Sequence, residues 1–462
     1  MIAGNPAYYQ SAVADTMETV GGRPQGNAVH VVSGLTAVNL AVLSLGFVTA
    51  PLLTRSLGPA GRGELAAVTV PLGIAIILIV VGLDDYVARA LARGEPEGRV
   101  LGSCLLLVFG ASAVGMLASY PIARAIGHGR SVVELYLFIG FLLLPTYGVA
   151  QMLRGAAQGR QAWRTWIAVQ VLTPVTWTAC VIALYVADAL SVSRAAIAFL
   201  VTAQFSLIPL IPLLRDAFPL SFSLTEARRA LAFGLRQSTA DMVRLGNLRL
   251  DQVLMAALIS STQLGLYSVA VTAASVCFVF TTALSTVLYP RVAGGNRDFA
   301  ARGVRATLLV MIAASTVVAV LLPTAIDVVF GRAFQGSIKM GWILLAASIF
   351  VAVTTALGSA LTADGDPGGV ALIEGCVLVC SIPVLIAVLP SGGGVAAAWV
   401  SLATYVITTG LLLRRLSRRF QTNPLDYLLP RAEDVRDLVD IAASAAKRLG
   451  WTSATASLRV RA

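Results

Sequence analysis

The segment DMVRLGNLRLDQVLMAALISS, residues 241–261, holds Asp241, Arg244, Arg249 and Asp251 within a stretch that otherwise reads as buried in a membrane. With Arg236 just upstream, these carry nearly all the charge inside the apolar runs of the chain; beyond them only Glu374 lies clearly within one. On a helix at about 100° per residue, Gln237, Asp241, Arg244, Asn247 and Asp251 fall within an arc of about 120°, and Arg249 points away from it. A charged group at the centre of a membrane helix costs about 2.5–3.5 kcal/mol, so the five together would cost about 12–17 kcal/mol facing lipid. The stripe must therefore line a cavity or meet partners. Pairing within the helix, Asp241 with Arg244 at i, i+3, is the purely structural way to satisfy it.

The residue types also suggest chemistry. The arginine fork grips a phosphate through two parallel hydrogen bonds and stays charged at any physiological pH. Arg244 is the expected phosphate contact, with Gln237 and Asn247 beside it on the stripe. Arg249 is a further candidate, or a partner for a neighbouring helix. Asp251 sits about nine residues, or about 13 Å, from the outer end of its helix. That is near the midplane, where a coupling proton or Na⁺ is expected to bind. Asp241 and Glu374 are the other candidate ion-coupling carboxylates, although Glu374, about one turn from the cytoplasmic end of its span, can also snorkel.

These residues need a membrane scaffold, and composition supplies one. The chain has 462 residues, 57% of them hydrophobic and 12% charged, with a mean hydropathy of +0.82. A soluble domain carries about 25% charged residues. The apolar residues cluster in blocks long enough to cross a bilayer. The expected architecture is an all-α polytopic membrane protein of about twelve transmembrane helices in two six-helix halves, at 31–52, 64–83, 101–119, 132–152, 166–187, 196–214, 231–260, 265–289, 306–324, 340–361, 370–389 and 394–413. The halves are then 31–214 and 231–415, joined by a cytoplasmic linker at 215–230 and flanked by tails at 1–30 and 416–462, the latter with an amphipathic helix near 432–449. Residues 1–29 lack the charged start and apolar core of a signal peptide.

Thirteen arginines fall in the expected inner loops, against seven basic residues in the outer ones, which puts both termini in the cytoplasm. The net charge of +11 then reflects that bias and attraction to anionic lipids, not nucleic acid. Cys104, Cys180, Cys277, Cys376 and Cys380 all lie in apolar runs and read as buried thiols, and two histidines do not complete a metal site. No cofactor or metal is expected.

The second span begins GELAAVTV at 63 and the eighth GLYSVAVT at 265, an offset of 202 residues. Such an echo fits two parallel repeats with the substrate path between them.

LLTRSLGPAGRGELAAVTVP (52–71), LRLDQVLMAALISSTQLGLYSVA (248–270) and LYPRVAG (288–294) together resemble polysaccharide flippases of the multidrug/oligosaccharidyl-lipid/polysaccharide (MOP) exporter superfamily. The first resembles that family's Arg-x-Leu-Gly-Pro turn. The second resembles its junction of helices 7 and 8, where an Asp precedes a Gly-x-Tyr by about fourteen residues. The resemblance spans about residues 31–415 and implies a MATE/flippase-like fold. It also implies translocation of a polyprenyl-(pyro)phosphate-linked oligosaccharide across the cytoplasmic membrane by alternating access, and no enzymatic activity. The partners it implies are the glycan lipid and glycosyltransferases or a polymerase of the same pathway. The chain departs from lipid II flippases, which have fourteen spans, and its first helix is nearly uncharged, so their cationic residues do not carry over. The competing functions are an ion-coupled multidrug antiporter, and a membrane glycosyltransferase, polymerase or inactive scaffold of an envelope-synthesis complex. The short outer loops count against an enzyme.

Overall fold

The computed structural model describes residues 26–278, 297–429 and 431, and their side chains except at 26–41, 43, 240, 241, 297 and 298. The expected tail helix near 432–449 and most of the N-terminal tail lie outside the described residues. Among the described residues the chain is helical and has no strand.

The apolar blocks become α1 (Gly26–Val80), α3 (Glu97–Leu117), α5 (Ser131–Leu142), α6 (Leu144–Gly159), α7 (Trp163–Val186), α8 (Val192–Gln204), α10 (Leu224–Leu258), α11 (Ser261–Ser275), α12 (Arg297–Ala325), α13 (Ser337–Ala363) and α14 (Pro367–Phe420). Short helices α2 (Leu83–Ala92), α4 (Ser119–Gly127) and α9 (Ile211–Asp216) lie between them. Among the described residues seven helices are long and apolar enough to cross a membrane, or eight when α5 and α6, bent by 50°, count as one span. That bend falls where Pro145 opens α6 and cannot donate into the preceding turn.

The expected twelve spans are distributed differently over these helices. The loops expected at 53–63 and 390–393 are helical, so α1 and α14 run through them, broken only at Gly58 (φ 65°) and Gly393 (φ 55°). Both glycines adopt a left-handed backbone that an L side chain resists. The helix restarts at once after Gly58 because Pro59 supplies a pre-set φ at a first-turn position. α10 carries too many charges to count among these apolar helices, and the segment after α11 lies outside the described residues.

Hydroxyl caps start the helices that matter for the site. Ser223 Oγ accepts from Glu226 N to open α10, and Ser260 Oγ accepts from Gln263 N to open α11. The main core packs Val68, Leu72 and Ile76 of α1 against Tyr267 and Val269 of α11 and against α12 and α13. Large apolar side chains such as Leu117, Val186 and Val320 stay exposed, the inside-out pattern of helices solvated by hydrocarbon. Cys104 and Cys277 are buried as expected, whereas Cys376 and Cys380 are exposed on α14.

Candidate functional site

The polar stripe of α10 does not act as one surface. Its 35 residues make a rod of about 52 Å, longer than the about 30 Å of a bilayer core. Arg236 and Gln237 in the first half are exposed. Gln237 lies fourteen residues, or about 21 Å, along the helix from Asp251. The side chain of Asp241 lies outside the described residues. Arg244 is half-buried and engaged in interactions of its own.

The last turns of α10 build a compact cluster. Asp251 is 8% exposed, and its carboxylate accepts from the Tyr267 hydroxyl of α11, from Ser401 Oγ of α14 at 3.3 Å and from the Gln252 backbone N–H at 2.7 Å. One turn inward, the Tyr405 hydroxyl of α14 donates to Asn247 O at 2.8 Å, and Asn247 Nδ2 donates to Glu374 O at 3.4 Å. The structure thus brings Asn247, Asp251 and the Glu374 backbone to the same three-helix seam. Glu374 itself is half-buried and has further contacts.

Arg249 is half-buried and lies within electrostatic reach of Asp251 and of a second cation, Arg62 of α1. Three buried polar atoms here have no hydrogen-bond partner among the described residues: Arg62 Nε, Gln252 Nε2 and Asn247 Oδ1. An unpaired buried donor costs about 1–3 kcal/mol, so the cluster is built with capacity to spare, chiefly for an acceptor of negative charge.

Sequence reasoning missed Arg62, Gln252, Tyr267, Ser401 and Tyr405. The Asp and Gly-x-Tyr spacing contained the signal for Tyr267: a helix end, a two-residue turn and a helix start return position 267 to the level of position 251. Arg62 was assigned to an outer loop because Gly-Pro-Ala-Gly-Arg-Gly has turn composition, whereas Pro59 starts a helix there.

On one side of the cluster two helices approach closely through their backbones. A Cβ placed on Gly63 would lie 1.8 Å from Ser261 O, and one on Gly265 would lie 1.8 Å from Pro59 O. Both contacts join the segments that are offset by 202 positions in the sequence echo. The repeated segments therefore meet each other in a reciprocal crossing of α1 and α11. Arg130, before α5, reinforces it by donating to Ser261 Oγ at 2.8 Å and to Ala256 O at 2.7 Å. Arg55 donates from α1 to Val329 O at 3.1 Å and to Val328 O. Gln263 Oε1 accepts from Gly394 N at 3.3 Å, tying the α11 start to the break in α14.

The far end of α10 is held as well. Tyr86 of α2 donates to Glu226 Oε1 at 2.5 Å, Arg89 lies 5.2 Å over the Phe233 ring, and a Cβ on Gly234 would lie 2.1 Å from Val81 O. Asp84, Asp85 and Arg89 of α2 belong to this contact region, with Asp84 buried.

Comparison with known proteins bears on this geometry. A family described as polysaccharide biosynthesis protein matches residues 30–294, a range containing Arg62, α10 and the Asp251–Tyr267 bond. The chain belongs to the polysaccharide biosynthesis protein family. No curated relative matches in sequence. Among solved structures, the lipid II flippase MurJ in an inward closed conformation superposes with a TM-score of 0.70 at 12% identity, over 85% of this chain and 89% of that one. An inward-facing multidrug resistance MATE transporter of the MOP superfamily gives 0.68 at 12% identity, over 84% and 99%. An outward-facing multidrug resistance MATE transporter of the same superfamily gives 0.56 at 14% identity, over 86% and 97%. The fold of this family member is therefore the MATE/MurJ-like fold of the MOP superfamily, and the chain is a multi-pass membrane protein.

Proposed function

We propose that the protein translocates a polyprenyl-(pyro)phosphate-linked oligosaccharide, or a related cell-envelope glycolipid, across the cytoplasmic membrane by alternating access, and that it is a transporter, not an enzyme. The observation that carries this reading is the buried charge at the end of α10: Arg249 lies within electrostatic reach of Asp251 and of Arg62, and the buried donors Arg62 Nε and Gln252 Nε2 have no partner among the described residues. An apolar bundle has no need of two such cations. A site that must take a phosphate out of water does, because only charge-assisted hydrogen bonds offset the dehydration of the anion.

In this scheme 31–214 and 231–415 are the two moving halves, and the α1–α11 crossing is the contact that parts to release the glycan outside. Arg62 and Arg249 hold the phosphate, and Arg244 and Asn247, one to two turns nearer the cytoplasm on α10, line its approach. Asp251 competes with the phosphate for Arg249, and taking up a proton would remove that competition. Asp241 and Glu374 are secondary candidates for the coupling ion. Glycosyltransferases or a polymerase of the same pathway are the expected protein partners. Ion-coupled efflux of small molecules is the second reading, favoured by the likeness of fold to MATE transporters; a two-arginine site disfavours the cationic compounds such a carrier would export.

Binding tests the site. Purified Arg62→Ala and Arg249→Ala should each bind a polyprenyl-pyrophosphate glycan about 10- to 150-fold more weakly, the equivalent of about 1.5–3 kcal/mol for one charge-assisted contact. Arg249→Lys should recover only part, since a point charge loses the bidentate fork. Arg244→Ala should bind more weakly than Arg244→Lys. Wild-type affinity in both Arg62→Ala and Arg249→Ala would end the phosphate assignment.

Orientation has a separate test. Cysteines introduced at His128 and Arg332, both exposed, should react with a membrane-impermeant thiol reagent in intact cells, and a reporter fused after Ala462 should read as cytoplasmic. An external reporter would reverse the whole scheme.

A further inference from the structure

A second basic cavity lies at the other end of the molecule from the α1–α11 crossing. It has a volume of about 540 Å³ and opens between the beginning and the end of α14. Four arginines from the last turns of the helix, Arg414, Arg415, Arg418 and Arg419, form one side. We infer that this cavity binds the headgroup of a doubly anionic phospholipid.

The charge count motivates the assignment. Arg415 is committed to Asp366, with Nε to Oδ2 at 2.5 Å and Nη2 to Oδ1 at 3.0 Å. The hydrogen bond from Arg415 holds the Asp366 carboxyl below the usual carboxylate range, so this pair stays charged and closed at neutral pH. Arg419 is committed to the carboxylate of Asp364 and donates to its carbonyl O at 2.8 Å. Arg414 and Arg418 stand one turn apart on the same face, are exposed, and make no ion pair among the described residues. Four guanidinium groups against two carboxylates leave two positive charges at the mouth of the cavity. Two salt bridges hold its frame, and among the described residues Arg414 and Arg418 are left to meet an anion.

The remaining walls choose the kind of anion. Ile373 and Leu411 line the cavity on the side towards the membrane centre, and Leu411 is 41% exposed. A soluble phosphate would leave that apolar wall uncovered, whereas a phospholipid places its headgroup on the arginines and its first methylenes on Ile373 and Leu411. The inference rests on the orientation proposed above only in assigning this end to the cytoplasmic leaflet. Its readout is independent of transport.

The test is native mass spectrometry of the full chain in detergent, titrated with diphosphatidylglycerol. Wild type should retain the lipid. Arg414→Gln/Arg418→Gln should bind it about 30-fold more weakly, the combined contribution of two arginines near an anionic headgroup, with an unchanged melting temperature. Arg414→Lys/Arg418→Lys should keep most of the binding, and Arg93→Gln/Arg99→Gln, which neutralises another basic surface on the same side, should keep all of it. Leu411→Gln should weaken retention, and inorganic pyrophosphate should not displace the lipid. Equal retention by wild type and Arg414→Gln/Arg418→Gln would overturn the site. So would equal weakening by Arg93→Gln/Arg99→Gln, or displacement by pyrophosphate. Normal glycan flipping in a variant that has lost the lipid would support a lipid site separate from the transport path, whereas lipid retention without any glycan binding would overturn only the proposed transport substrate.

Discussion

Gly265→Ala should abolish most transport while leaving a folded protein with its outer side held open. The added methyl group lands 1.8 Å from Pro59 O, and a backbone carbonyl on a packed helix cannot swing away as a side-chain tip can. Overpacking of this kind costs about 1–3 kcal/mol. It acts only on the state in which α1 and α11 touch, so at the upper value the balance moves towards outward opening by about 150-fold. Gly63→Ala should do the same from the other helix, because its methyl meets Ser261 O. Gly110→Ala, with open space around it, is the neutral control. Spin labels at Asp188 and Ala333, exposed near the outer ends of α7 and α13, should read a longer distance in both crossing variants. Wild-type transport with an unchanged distance in Gly63→Ala and Gly265→Ala would remove the crossing from the transport cycle.

Asp251→Asn should reduce transport by at least about 10-fold at near-normal protein level, and the residual activity should no longer respond to collapse of the ion gradient. The substitution preserves shape but takes away the charge. The hydrogen bonds from Tyr267, Ser401 and Gln252 lose their charge assistance, and a charged acceptor is worth about 1.5–3 kcal/mol per bond. Arg249 also loses a nearby carboxylate while Arg62 stays within electrostatic reach. Tyr267→Phe separates charge from geometry. It deletes one donor and keeps the carboxylate, so transport should fall less and the gradient response should persist. If Asp251→Asn transports normally and still responds to the gradient, Asp251 is only a packing partner of α11 and α14.

Both results rest on features that the sequence held in different degrees. The offset of 202 pointed to related segments, yet period alone could not say that Gly63 and Gly265 touch. That depends on how two helices cross, and small residues permit the approach without dictating it. Asp251 was legible because a carboxylate at membrane depth must have a reason. Its partners were not, since Ser401 lies 150 residues away and serines in apolar helices are common. The distance of Gln237 from Asp251 along the helix was not weighed, because a helical wheel ranks direction but not depth and α10 is longer than a bilayer core. Arg62 was hidden by its neighbours, whose turn composition masks a helix that starts at Pro59. The pairs Arg415–Asp366 and Arg419–Asp364 were unreadable for a similar reason. They join a tail and a loop that look independent until α14 folds back on itself at Gly393.

The central claim is that a phosphate-linked glycan crosses the membrane through the Arg62–Arg249–Asp251 cluster. Reconstitution tests it most directly. The purified protein is placed in liposomes carrying a fluorescent polyprenyl-pyrophosphate oligosaccharide, and an impermeant quencher reports its arrival in the outer leaflet. Wild type should move the glycan lipid at a rate far above protein-free vesicles, Arg62→Ala/Arg249→Ala should fall to the protein-free rate, and a polyprenyl-linked glycan lacking phosphate should not move. Equal rates for wild type and the double variant, or equal movement of the phosphate-free lipid, would contradict the account.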